Sequence, residues 1–277
     1  MSPPLKDARV TASTQPVPQS APPAPWRTAW ITGASSGIGR ELARQLARRG
    51  VRVAISARSP EGLAETAAGQ DRIEAFPLDV TDAAAVHDTL ARITARFGAL
   101  DLVILNAGIL EPMGARDYSA GLAARAMAVN YTGITHALEP LLPRLIAQGH
   151  GHVALVASMA GYRGLPSGAA YAPAKAAVIA LAEVLRPELK AAGVTLSVVN
   201  PGFVETPLTE VNPFPMPFLT SAPRAARRII RGLERRRFEI AFPWPLVASM
   251  KALRALPYRP FFWLVEKFML GKTTRGK

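Results

Sequence analysis

The chain has no cysteine in its 277 residues. That excludes a disulfide framework, a thiolate-held metal and a thiol nucleophile. Histidine is nearly as scarce: only His87, His136, His150 and His152 occur, and the one close pair is spaced i, i+2, which matches no metal-ligand motif. These four read as surface or structural residues, and no metal is expected. Acidic residues are few as well, 20 against 33 Lys and Arg, for a net charge of +13. Such an excess raises the question of a polyanionic partner, nucleic acid or an anionic membrane. The excess is uneven, because in residues 221–277 only Glu234, Glu239 and Glu266 oppose the Lys and Arg series. Long apolar runs are also missing from both ends. Residues 1–25, with Pro3, Pro4, Pro16, Pro18, Pro22, Pro23 and Pro25, lack the apolar core of a signal peptide and read as a disordered arm. In the tail, Pro257 and Pro260 break the apolar segments below the length of a membrane span.

What is present from Trp30 onward is an alternation of short apolar runs with longer amphipathic stretches, the pattern of βαβ units around a parallel sheet. Strands are predicted over 28–32, 51–56, 72–77, 101–105, 152–157 and 194–199. Helices are predicted over 38–49, 82–97, 118–147 and 170–192, several closed by Gly50, Gly98 or Gly193. The fold class is therefore α/β, a Rossmann-like doubly wound parallel sheet with helices on both faces. The regular alternation stops after Pro201. We divide the chain into the arm 1–25, one domain over 26–243 and a basic amphipathic extension over 244–277.

The first predicted strand runs into Thr32-Gly33-Ala34-Ser35-Ser36-Gly37-Ile38-Gly39 and then into a helix. Strand, glycine-rich turn and helix in that order suit a pyrophosphate, since glycines admit close backbone approach and a helix N-terminus offers free N–H groups. The second strand ends Ile55-Ser56-Ala57-Arg58. It carries no carboxylate to repel a ribose 2′-phosphate, and Arg58 offers a planar charged fork to pair with one. This favours NADP(H). Further on, Tyr171 and Lys175 stand four apart on one helix face, where a cation near the phenol would lower its pKa of about 10. Pro173 falls in the first turn, where proline is tolerated. Ser158 ends the apolar run 153–157, at the sheet edge where α/β ligands bind.

This ordered set resembles the short-chain dehydrogenase/reductase family over roughly residues 27–206. It comprises the G-x-x-x-G-x-G loop, Asp79, Asn106-Ala107-Gly108, Asn130, Ser158, Tyr171, Lys175 and Pro201-Gly202. The resemblance implies an NADP-preferring oxidoreductase acting on CH–OH groups. Tyr171 would be the general acid or base, Ser158 would orient the carbonyl, Lys175 would hold the nicotinamide ribose and lower the tyrosine pKa, and Asn130 would hold a relay water. Cofactor contacts would come from Gly33, Ser35, Ser36, Gly37, Ile38, Gly39, Arg58, Asp79 (at the adenine), Val80, Asn106, Ala107, Gly108, Tyr171, Lys175, Pro201, Gly202, Val204 and Thr206 (at the carboxamide). Ala174 stands where many relatives have serine, which leaves proton transfer undisturbed. A homodimer or homotetramer through 118–147 and 170–192 is also implied.

Residues 203–218 are apolar and rich in proline. They either line a pocket for an apolar carbonyl or alcohol substrate, lipid-like, steroid-like or acyl, or pack a lid. In the tail, Phe261, Phe262, Leu264, Val265, Phe268 and Met269 recur at helical spacing among Lys251, Arg254, Arg259 and Lys267. That helix either lies in a membrane interface or packs on the core or a second subunit. The run Arg224, Arg227, Arg228, Arg231, Arg235, Arg236 and Arg237 lacks any nucleic-acid-binding signature beside it and reads as a solvated face or a contact for anionic membrane. The expected location is cytoplasmic, or peripheral at the inner face of a membrane. The rival readings are a non-catalytic NADP-binding regulator, a related-fold epimerase or dehydratase, and a membrane-associated scaffold. The intact Ser158, Tyr171, Lys175 set argues against the first, and the chain length and loop spacing argue against the second.

Overall fold

A computed structural model describes residues 24–210 and 216–270. The apolar runs form β1 (Thr28–Thr32), β2 (Arg52–Ser56), β3 (Ile73–Ala75), β4 (Leu102–Leu105), β5 (His152–Val156) and β6 (Thr195–Pro201). Between them lie α1 (Gly37–Ala47), α2 (Pro60–Ala67), α3 (Ala83–Phe97), α4 (Ala120–Met127), α5 (Gly133–Gln148) and α6 (Tyr171–Ala191). A π-helical turn (Ala128–Thr132) joins α4 to α5, and a 3-10 turn (Met159–Gly161) comes after β5. Beyond β6 are β7 (Val204–Glu205), β8 (Thr220–Ser221), α7 (Ala222–Glu234), β9 (Glu239–Phe242), α8 (Trp244–Ala255) and α9 (Tyr258–Val265), closed by a π-helical turn over Glu266–Leu270.

Seven of these strands form one parallel sheet in the order β3-β2-β1-β4-β5-β6-β9. The expected Rossmann-like architecture is present. Successive side chains of a strand point to opposite faces, so in β1 Trp30 enters one core while Ala29 and Ile31 enter the other. Trp30 packs with Leu90, Leu141 and Val178 from α3, α5 and α6. Ile31 packs with Leu42, Leu46, Ile229 and Leu233 from α1 and α7. Burying each such side chain stabilises by about 1.5–3 kcal/mol. The strand order reverses between β1 and β4, which opens the crevice where ligands of such sheets bind.

Four features depart from the expected elements. A helix, α2, occupies 60–67, started by Pro60 and capped by Ser59, whose hydroxyl accepts from the Gly62 amide at 3.1 Å. The predicted 118–147 helix is two helices around the π-helical turn. The alternation also does not stop after Pro201, because α7 and β9 add another crossover unit. Arginines mask the signal in α7, yet Ala225, Ala226, Ile229, Ile230 and Leu233 recur at helical spacing and are buried, leaving the arginine face in solvent. Of the arm 1–25, residues 1–23 lie outside the described residues. Ala24 is already tied down, its amide donating to the Arg49 carbonyl at 3.4 Å.

The tail packs on the protein through one face. Met250, Phe261 and Val265 are buried. The Arg163 guanidinium sits 4.8 Å from the Tyr258 ring centroid and 4.2 Å from that of Phe261, and donates to the Leu256 carbonyl at 3.3 Å. No described helix is long and apolar enough to cross a membrane.

His152 proves structural. Its Nε2 lies 2.8 Å from the Ser197 hydroxyl, which donates to the Arg237 carbonyl at 2.6 Å. Burial, assisted by the Arg236 charge, lowers the imidazole pKa to about 4. The unfolded chain, with a histidine near 6.5, therefore binds a proton that the folded chain refuses between those values, and stability falls as pH drops through that window. Urea unfolding between pH 6.5 and 5 should lose up to about 1.4 kcal/mol per pH unit, and His152→Gln should flatten that slope. An unchanged slope in the variant would assign it to other groups.

Candidate active site

The glycine loop leaves β1 at Thr32 and enters α1 at Gly37. Ser36 takes the N-cap position with extended backbone and makes no side-chain cap hydrogen bond, so the N–H groups of the first turn are left to an incoming anion. Gly33 has φ +66°, and a Cβ there would stand 2.7 Å from the Ala107 Cα. Gly37 has φ +53°, and a Cβ there would stand 2.8 Å from the Thr206 methyl. Only glycine meets both the conformation and the space. Ile38 packs partly buried against the α1 core, and Gly39 abuts the Asn106 amide.

α2 braces this loop from the side. Arg40 reaches the Ser35 carbonyl through Nε at 3.1 Å, Thr66 Oγ1 at 3.2 Å and Glu65 at 2.8 Å. The Thr66 hydroxyl in turn donates to the Ala34 carbonyl at 2.9 Å. Sequence reasoning missed Arg40 and Thr66, since their roles depend on a helix it did not recognise.

Arg58 is exposed at the end of β2. Across the loop, Asp79 accepts from the Thr81 amide at 2.9 Å and the Thr81 hydroxyl at 2.8 Å. Partial burial pushes the Asp79 pKa up, but the two Thr81 hydrogen bonds and the Arg58 charge outweigh it and hold the carboxyl below its ordinary value. Val80 is buried beneath, its side chain against Gly133 and its carbonyl 3.0 Å from His136 Nδ1.

The next segment locks to β1. Thr32 Oγ1 accepts from the Asn106 and Ala107 amides at 3.0 and 3.2 Å, while Asn106 Nδ2 donates to the Thr32 and Gly33 carbonyls at 3.1 and 3.0 Å. Asn130 sits fully buried in the π-helical turn, an irregularity often found at functional sites. It bonds the Ile109 amide and carbonyl at 3.1 and 3.0 Å. A Cβ on Gly108 would lie 2.7 Å from Asn130 Oδ1 and 3.5 Å from Lys175 Nζ, so the three residues converge.

Ser158 and Tyr171 meet at the C-terminal end of β5 and the start of α6. The Ser158 hydroxyl accepts from the Ala160 amide at 3.2 Å and faces Tyr171 closely enough to lower its pKa. Lys175, one turn along, donates to the Val156 carbonyl at 2.9 Å, with Nζ 5.6 Å from the Tyr171 ring centroid. Burial pushes Tyr171 up to about 12, against the lowering effect of Ser158. Burial lowers Lys175 to about 8. The expected lowering of the tyrosine pKa by lysine does not appear, because desolvation of the phenolate dominates.

Beyond β6, the Gly202 amide donates to the Phe242 carbonyl at 2.8 Å, which anchors Pro201-Gly202 to β9. Val204 is buried and pairs with Thr220, and the Thr206 hydroxyl donates to the Val204 carbonyl at 3.3 Å. Of the apolar 203–218 segment, 211–215 lie outside the described residues. An apolar cavity of about 410 Å³ adjoins the start of α6, walled by Met113, Leu165, Pro166, Ala172 and Pro173. A larger cleft of about 780 Å³, at Arg52, Arg72 and Phe97, lies at the opposite edge of the sheet and holds none of these residues.

The fit to a dinucleotide is direct: an uncapped helix N-terminus, glycines where side chains would collide, and polar groups placed along the crevice. A family model described as short chain dehydrogenase matches residues 27–213. An uncharacterized oxidoreductase of Myxococcus xanthus is 39% identical over 218 residues, covering 77% of this chain and 86% of that protein. Among solved structures, a short chain dehydrogenase/reductase from Burkholderia phymatum in complex with NAD is similar, with TM-score 0.75, 26% identity and coverage of 81% of this chain and 92% of that one. So is a short chain dehydrogenase from Burkholderia cenocepacia in complex with NADP, with TM-score 0.72, 27% identity and coverage of 82% and 92%. With its glycine loop, its Ser158, Tyr171 and Lys175 cluster and these relationships, the chain belongs to the short-chain dehydrogenase/reductase family of oxidoreductases.

Proposed function

We propose that the protein is an NADP(H)-dependent oxidoreductase that interconverts a carbonyl compound and an alcohol, with Tyr171 moving the proton. The observation that carries this reading is the convergence of Asn130, Ser158, Tyr171 and Lys175 at the sheet edge that also bears the glycine loop. The bound nicotinamide would supply or accept the hydride. With its pKa at about 12, Tyr171 is a neutral phenol at pH 7 and serves as the acid, giving its proton to the carbonyl oxygen while the Ser158 hydroxyl holds that oxygen in place. In the oxidative direction the same pair removes the alcohol proton. Lys175 holds the ribose, and its charge, once turned from the Val156 carbonyl, steadies the phenolate. Asn130 keeps a spare lone pair and a spare N–H beyond its Ile109 bonds for a relay water.

NADP(H) is favoured over NAD(H) by the exposed Arg58 fork and by the absence of a carboxylate at the end of β2. The loop from Gly33 to Gly39 would cradle the pyrophosphate, with Asp79 and Val80 at the adenine, residues 106–108 along the crevice, and Pro201, Gly202, Val204 and Thr206 at the nicotinamide. An apolar substrate suits the cavity beside α6, whose volume falls in the range of small-molecule pockets. Exposed Ile146 on α5 and Val184 on α6 support pairing of subunits through those helices.

Tyr171→Phe should keep nucleotide affinity, measured by fluorescence titration, while lowering turnover on apolar ketones ~100 to 10,000-fold. Near-normal turnover would remove Tyr171 from the chemistry. Arg58→Asp should weaken NADPH far more than NADH, and equal losses would make Arg58 structural. Because the ammonium of Lys175 is lost as pH rises past about 8, kcat/KM for NADPH-dependent reduction should hold level from pH 6 to 7 and decline above 8. A profile without that limb would count against Lys175 acting as a cation.

A further inference from the structure

We propose that the outward face of α9 and the turn after it dock on an anionic lipid bilayer. The helical period divides this segment sharply. Phe261 and Val265 are buried against the protein, whereas Tyr258, Phe262, Trp263 and Phe268 are 69, 50, 55 and 56% exposed. Met269 continues the exposed surface. Several large aromatic side chains exposed on one short segment and rimmed by basic residues mark an interaction surface. The rings also hold one another outward: Tyr258 and Phe262 stack with centroids 5.8 Å apart and planes 14° apart. The Lys267 ammonium lies 4.7 Å from the Trp263 ring centroid and 5.5 Å from that of Phe268.

Charge selects the occupant. Arg259 and Lys267 flank the aromatic face, Arg254 precedes it on α8, and Glu266 is the sole acidic residue from Tyr258 to the end of the sequence, a stretch that also carries Lys272, Arg275 and Lys277. A second copy of this chain would bring two such cationic faces together in a protein already at +13. An anionic bilayer satisfies both halves of the surface, taking Trp, Tyr and Phe rings to headgroup depth while the lipid phosphates pair with Lys and Arg. The inner face explains why the helix does not insert: Phe261, Val265 and the Arg163 stack keep it on the protein. This docking is independent of the cofactor assignment.

The full-length protein is sedimented with vesicles of phosphatidylcholine alone and of phosphatidylcholine mixed with phosphatidylglycerol. Binding is expected to the mixed vesicles alone, weakening as salt is raised. Phe262→Ser with Trp263→Ser should abolish it. Arg259→Glu with Lys267→Glu, which spares the buried face, should lower the partition coefficient more than tenfold, since each basic residue near such a surface contributes roughly fivefold. Circular dichroism and the melting temperature establish that both variants fold. Equal binding to both vesicle types, no binding to either, or variants that bind like the parent protein would overturn the proposal. So would a concentration-dependent dimer that Trp263→Ser dissociates, which would make the face a contact between copies of the chain.

Discussion

The hydroxyl of Thr32 accepts two backbone amides from the chain just beyond β4, and the Asn106 side chain returns the bond to the two carbonyls that open the glycine loop. This exchange closes the seam between β1 and β4, the one place where the strand order reverses. A parallel sheet normally leaves a gap there, since the two crossovers depart to opposite sides. The floor of the gap is thus fixed by hydrogen bonds that each end on the main chain, so it does not drift with the rotamers of exposed side chains. Gly33 meets Ala107 across it, Gly39 meets Asn106, and Gly108 delivers Asn130 and Lys175 to the same point. If the seam opened, the loop and the Asn130–Lys175 cluster would lose their common reference.

Electrostatics at that point are set by desolvation. Tyr171 and Lys175 are driven in opposite senses, the phenol up and the ammonium down, and both shifts favour the neutral forms. The Lys175 ammonium donates to the Val156 carbonyl.

The distribution of basic residues obeys a different logic from their number. In α7 the arginines cover a helix whose other face fills the second core. Arg49, just beyond α1, pairs with Glu234 of α7, and Arg228 lies 5.7 Å from the Phe242 ring centroid. In the tail, by contrast, the cations stand beside aromatic rings that the protein leaves uncovered. The same net charge thus covers a packed helix in one place and frames an open apolar face in another.

Much of the molecule was legible in the sequence because its signals are local. Alternating apolar runs marked six of the seven sheet strands, the glycine spacing marked the phosphate loop, and the i, i+4 spacing put Tyr171 and Lys175 on one helix face. Three things were decided only by tertiary structure. The α7–β9 unit was hidden because arginines dilute the apolar signal of α7, and burial rather than composition defines its inner face. Arg40 and Thr66 gained their roles from α2, eight residues whose mixed pattern shows little periodicity by itself. The pKa of Tyr171 was set by the depth of its surroundings, which no spacing of residues encodes. Sequence determines which groups can meet along an element; how far each is removed from water depends on what the rest of the chain packs around it.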